Sequence, residues 1–209
     1  KTDSLGNEIW TKTFGGTGDD RGFSVRQTTD GGYIITGLFG GGNIIYLIKT
    51  NVTGQEEWNQ TFGGSGTDLG YSVQQTTDGG YVITGYTSSF GSGSDDVWVL
   101  KTDEYGDISW NKTFGGTGQD RGRYIQQTND GGFIIIGHTS SFGSGSYDVY
   151  LIKTDGNGNV TSTFNIPISS NRKLEKVVDV LGRETKPQQN TPFIEIYDDG
   201  STEKKIVVE

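Results

Sequence analysis

The 209-residue chain has no cysteine, no methionine and no alanine, a single histidine and only three prolines. Zero cysteine excludes a disulfide-stapled scaffold, a thiolate metal site and a cysteine nucleophile. Without alanine the best helix former is missing, and isoleucine and valine together outnumber leucine 31 to 8, which excludes a helical bundle. The lone His138 has no histidine partner, so no Ser-His-Asp set can be argued and zinc lacks its usual ligands. No apolar run approaches the ~18 residues that span a bilayer. Positive charge is scarce too: 17 Lys and Arg face 26 Asp and Glu, a net charge of −9. An acidic surface argues against nucleic acid and anionic membranes as partners. Position 1 is lysine, which reads as a processed chain or a fragment.

What the chain has in abundance is glycine, 35 residues, of which 33 precede residue 172. It also repeats itself. Trp10, Trp58 and Trp110 each head a segment ending Thr-Phe-Gly-Gly, at spacings of 48 and 52 residues. Gln-Thr-Thr-Asp-Gly-Gly-Tyr at 27–33 and 75–81 returns as Gln-Thr-Asn-Asp-Gly-Gly-Phe at 127–133, and Lys-Thr recurs at 49, 101 and 153. A period near 50 indicates a repeat fold.

Each period reads as four short strands. In the second, Tyr71–Thr76, Tyr81–Thr87, Val97–Thr102 and Ile108–Phe114 are separated by Thr-Asp-Gly-Gly, a Ser/Gly stretch at 88–94 and the turn Asp103–Gly106. Asp-Gly between β-branched runs is a hairpin signal, because the turn needs positive φ. Runs such as Val97–Leu100 and Ile134–Ile136 are apolar on both faces, as in a strand buried between stacked sheets. The expectation is an all-β chain of β-propeller-type blades, each of four antiparallel strands. It lacks the Trp-Asp pair of WD40 blades, its one Gly-His pair (Gly137-His138) does not recur with the period, and that period is nearer the kelch value. A flat or solenoidal β stack is the rival arrangement; a ring protects more sheet edges. Complete four-strand sets span about 23–62, 71–114 and 124–164, with an orphan strand at 8–14. Three blades and an orphan strand read as part of a larger propeller, or as one closed by self-association. The units fall at about 1–48, 49–100 and 101–152, with a partial one at 153–164.

Residues 165–171 read as a linker, and 172–209 as a separate module with only Gly182 and Gly200. Leu174, Val177, Val178 and Leu181 fit a helical stripe, but Val-Val-Asp-Val favours a strand. A small β-meander is expected: that strand, a Gly182-Arg183 turn, Phe193–Tyr197, a turn at Asp198–Gly200 and Lys205–Val208. Val177-Val-Asp-Val-Leu-Gly-Arg183, Ile194-Glu-Ile-Tyr-Asp-Asp-Gly-Ser201 and Lys204-Lys-Ile-Val-Val208 resemble the end of the C-terminal (Por) sorting domains of the bacterial type IX secretion system. The resemblance rests on about 35 residues, with Asp179, Gly182, Arg183, Tyr197, Asp199, Gly200, Lys204 and Lys205 as motif positions. The Pro-Asn-Pro opening of the larger sorting domains is missing. The repeats look like the glycine-rich propeller repeats found ahead of such tails. The resemblance implies export through the type IX machinery to the outer surface or the medium, with the tail removed or used for attachment.

Candidate chemistry is sparse. Phe14-Gly-Gly, Phe62-Gly-Gly and Phe114-Gly-Gly resemble phosphate cradles, but lack the Gly-Lys-Ser/Thr of a P-loop and a following helix. Asp20, Asp68 and Asp120 share one repeat position. They form either a ring of carboxylates facing a ligand or caps on their own loops. Asp95, Asp96 and Asp148 are candidate calcium ligands by oxygen chemistry. The first repeat shortens that loop to 40–43 and loses the acid. Period-matched aromatics are inter-blade core or sugar-stacking platforms. No catalytic residue and no required cofactor are expected. The leading reading is a non-enzymatic, secreted or cell-surface scaffold that binds a protein or carbohydrate. Two others stand beside it: an accessory domain of a larger secreted hydrolase, and a calcium-dependent adhesin.

Overall fold

The computed structural model describes residues 1–41, 44–161, 173–179, 182–187, 192–197 and 202–206; of residues 192 and 202–206 it describes the backbone alone. The chain divides into two compact units, Lys1–Thr161 and Ser162–Glu209. Among the described residues every regular element is a strand, and all the strand pairs are antiparallel.

The first unit holds three sheets. Strands β1 (Arg21–Gln27), β2 (Tyr33–Phe39), β3 (Ile44–Thr50) and β4 (Glu56–Phe62) form the first, in chain order. Strands β5 (Asp68–Gln75), β6 (Tyr81–Thr87), β7 (Asp96–Thr102) and β8 (Ile108–Phe114) form the second in the same order. Strands β9 (Asp120–Gln127), β10 (Phe133–Thr139) and β11 (Asp148–Thr154) form the third. In the second unit β12 (Leu174–Asp179), β13 (Pro192–Tyr197) and β14 (Thr202–Ile206) form a meander.

The Asp-Gly-Gly phrases make the first hairpin of each sheet. Gly31, Gly79 and Gly131 adopt φ of +84, +88 and +80°, which L side chains rarely take. The preceding Asp fixes the turn twice. Asp30, Asp78 and Asp130 accept the N–H of Gly32, Gly80 and Gly132. They also pair with Lys49, Lys101 and Lys153 of the third strand, at 2.7, 2.9 and 2.8 Å. The recurring Lys-Thr is thereby explained. The lysine folds back on its own sheet, donating also to the carbonyl of Thr50, Thr102 or Thr154.

Consecutive sheets share cores. Ile34, Ile45, Leu47 and Phe62 of the first meet Val73, Tyr81, Ile83, Trp98 and Leu100 of the second. Val82, Val97 and Val99 of the second meet Ile125, Phe133, Ile135 and Ile152 of the third. The tryptophans latch each sheet to the one after it. Trp58 and Trp110 pack edge-on against Tyr81 and Phe133, at 5.7 Å in both cases, and lie across Gly106 and Gly158. Those glycines have φ of +88 and +75°, and a Cβ on either would stand within 2.8 Å of the indole.

Two expectations need correction, and a third falls partly outside the described residues. Residues 8–14 form no strand: Thr2 and Glu8 make one bridge, and a strand needs a partner edge that this segment does not find among the described residues. Trp10 nonetheless sits as Trp58 does, 5.8 Å from Tyr33 and across Gly54. The third sheet has three described strands rather than four; Val160 bridges Thr154, and residues 162–164 lie outside the described residues. Strands β5, β7 and β9 begin at Asp68, Asp96 and Asp120, so these acids lie at strand starts and not in loops.

The tail is a strand meander and not a helix. Asp179 N–H donates to the Arg183 carbonyl at 2.8 Å, and Gly182 turns with φ +80°. Strand β14 ends at Ile206, so the expected strand to Val208 runs outside the described residues.

Candidate functional site at the first strands

The expected carboxylates turn back into their own loops. Asp20 accepts the N–H groups of Gly16 and Gly40 at 2.9 and 3.0 Å. Asp68 accepts from Gly64 N–H at 2.8 Å, Ser89 Oγ at 2.7 Å and Thr87 Oγ1. Asp120 accepts from Gly116 N–H at 2.9 Å and Ser141 Oγ at 2.5 Å. Its Oδ1 has no conventional partner, but Thr139 stands opposite, in the place from which Thr87 donates to Asp68. Burial opposes ionisation of Asp120; the hydroxyls of Ser141 and Thr139 and the Gly116 N–H outweigh it, so the carboxyl lies below its ordinary range. These are loop caps in geometry.

Asp95 is engaged by Arg121, whose Nε and Nη2 lie at 2.8 and 2.5 Å. Asp96 accepts Ser92 N–H at 2.8 Å; burial pushes its carboxyl up, helped by the charges of Asp120 and Asp95. Asp148 closes on Gly143, where a Cβ would find no room. Among the described residues no three His, Cys, Asp or Glu side chains gather around a cation position. His138 packs edge-on against Tyr147 at 5.2 Å, and burial followed by the charges of Arg123 and Arg121 holds its pKa down.

In the tail, Asp179 accepts from Arg183 twice, from the N–H at 3.0 Å and from Nε at 2.7 Å. Tyr197 Oη donates to Glu195 at 2.7 Å. Lys204 and Lys205 lie on β14, while Asp199 and Gly200 fall outside the described residues.

A cluster not expected from the sequence lies along β1, β5 and β9, which run beside one another. Hydroxyls tie them together: Ser24 Oγ accepts Val73 N–H and Ser72 Oγ accepts Ile125 N–H, each at 3.4 Å. All four arginines preceding residue 172 stand here, Arg21 and Arg26 on β1 and Arg121 and Arg123 on β9. Arg26 reaches toward the Tyr124 ring at 5.9 Å, and Arg123 stacks on Tyr71 at 4.3 Å. Tyr71 in turn touches Phe23 at 5.3 Å and Tyr86 at 6.0 Å. Arg26, Tyr124, Gln74, Gln126, Thr29 and Thr77 line an open cavity of about 390 Å³. No family model matches the chain, and comparison with curated proteins finds no match.

The cavity offers a guanidinium, a phenol ring, four amides and three threonines from three different repeats. Such groups bind hydroxyls and carboxylates and supply no nucleophile–base pair. Neither Arg26 nor Arg123 is matched by a carboxylate among the described residues, so each presents its charge toward solvent. The usable signal in the sequence was the set of departures. Arg26 and Tyr124 stand where the second repeat has Gln74 and Ser72.

Proposed function

We propose that the chain is a non-enzymatic binding scaffold, a β-propeller segment whose sheets are blades and whose first strands line the axis. In this reading it is exported through a type IX tail and works outside the cell or on its surface. The observation that carries it is the cavity over β1, β5 and β9, built from departures in an otherwise uniform repeat. Order and spacing support the tail: residues 177–183, 194–201 and 204–208 keep the sequence pattern of a sorting domain.

The ligand class the cavity suits is a polyol bearing carboxylate, because Arg26 supplies charge and Tyr124 a face for a sugar ring. Affinity electrophoresis with soluble neutral and uronate-bearing polysaccharides tests this. The uronate polymers are expected to retard the chain, and Arg26→Ala with Tyr124→Ala to lose at least tenfold of that effect. Equal retardation of parent and double variant would remove the cavity from the reading. The export half has its own check. Removing residues 172–209 should leave the protein inside a cell that carries the type IX machinery, and unchanged export would refute the sorting role.

A further inference from the structure

The two sheet-to-sheet junctions within the chain give a template for faces that are left open. On the receiving side, Val73 of the second sheet is 0% exposed and Ile125 of the third is 1%, whereas the matching Val25 of the first sheet is 54% exposed. Glycine tells the same story. A Cβ on Gly70 or Gly122 would stand 2.5 Å from Thr36 or Thr84 of the preceding sheet, while Gly22 meets nothing nearer than 3.9 Å. Trp58 and Trp110 lie across Gly106 and Gly158, but the equivalent Gly6 has nothing within 4 Å. The result is a groove of about 600 Å³ between Trp10, Lys12 and Phe14 on one wall and Phe23, Val25 and Ile35 on the other.

The delivering side is open at the opposite end. Ile45 and Leu47 of the first sheet and Val97 and Val99 of the second are at most 1% exposed, covered by the sheet that follows. The matching Val149 and Leu151 of the third sheet are 77% and 55% exposed. Polar partners are left over in matching fashion. Gln75 and Gln127 accept the N–H of Thr29 and Thr77, each at 2.9 Å. Continuing that series, Gln27 Oε1 and the Asn129 N–H hold the matching places at the two open faces, with no such partner across a junction among the described residues.

We infer that these faces are two halves of one junction, joined between copies: the third sheet of a second copy fills the groove on the first sheet, and the reverse. The contact is heterologous, so it closes only if the rotation allows. Taking the sheets as propeller blades, a reading on which the ring count rests, two copies give six blades, within the 4–8 over which propellers close. One overlap must be resolved. The Thr2–Glu8 hairpin and the Thr154–Val160 hairpin of the incoming copy occupy the same repeat position. The first is anchored by Trp10 on Tyr33 and Gly54, while the second is followed by Ser162 where the repeat has tryptophan. The Thr154–Val160 hairpin therefore gives way.

Light scattering after size exclusion, on the full 209-residue chain, tests the junction. The expected mass is twice 22.6 kDa. Val25→Glu and Val149→Glu, each on an exposed position, are expected to keep the parent circular dichroism and run as monomers. Mixed in equal amounts they should regain part of the doubled mass, because one of the two junctions then joins an unaltered first sheet to an unaltered third sheet. Tyr105→Glu, on an exposed turn of the second sheet, which carries neither open face, should leave the parent mass unchanged. A monomeric parent, a mixture that stays monomeric or a ladder of larger masses would each overturn the inference. None of these outcomes bears on polysaccharide retardation, so failure here and failure of the binding reading are separable.

Discussion

Gly22 and Gly70 stand at one repeat position, as do Val25 and Val73, and the strands that carry them, β1 and β5, pair with β2 and β6 in the same register. Both pairs even shift register at the same glycine. Yet β5 is packed under the first sheet and β1 lies open. The difference shows that the repeated sequence encodes more than a sheet. It encodes half of a junction on each face, and a sheet completes its burial only when a neighbour supplies the other half. Small residues on the receiving face and Ile, Val or Leu on the delivering face are the two complementary parts.

The sharpest way to break the comparison is to remove the latch. Trp58→Ala opens a junction that is otherwise closed and should cost about 3–5 kcal/mol, whereas Trp10→Ala, beside an open groove, should cost about half as much. Chemical denaturation of both variants reads the difference, and equal losses would mean that the junction adds nothing to the indole's contact. The loop caps come next. Asp68→Ala strands the Gly64 N–H and two hydroxyls in a buried setting and should cost about 2–3 kcal/mol. Asp20→Ala, at the open end, should cost under about 1 kcal/mol, because water replaces the carboxylate.

The smallest expected effect is one that sheets at both ends share. The Lys49 ammonium, then the Thr28 hydroxyl, hold the Asp30 carboxyl down to about 2. Lys153 holds Asp130 below its ordinary range too. Asp78 lies low although burial opposes it, through Thr76 and Lys101. A depressed carboxylate contributes stability above its unfolded value, near 3.9. That contribution is lost as pH falls toward the folded value. Thermal stability should therefore decline between about pH 4 and pH 2, gently because the carboxylates are largely exposed. Asp30→Asn should flatten the slope at the first sheet, and melting curves across that range measure it.

Much of the scaffold was legible because its turns are chemically explicit. Asp-Gly-Gly sets a positive φ, and β6 and β8 begin and end where the sequence pattern places them, whereas the Lys partner of each Asp is seen only in the fold. Strand starts at Asp68, Asp96 and Asp120 were not legible, since an aspartate can cap a loop with its side chain while its backbone joins a ladder. Residues 8–14 misled for a different reason. A strand is a property of two edges, and this segment meets no second one among the described residues. The candidate cavity carries no periodic signal, because repetition marks what every sheet needs, whereas Arg26, Arg123 and Tyr124 are places where the repeat is broken.

The forward reach of the tryptophans also gives folding a direction. The indole of Trp58 closes over Gly106, 48 residues further along, so the last strand of a sheet stays unlatched until the next sheet has emerged from the ribosome. At translation speeds of 5–20 residues per second that interval is roughly 2–10 s. During it, the newest sheet edge is available to chaperones, or to a neighbouring nascent chain with the same repeat.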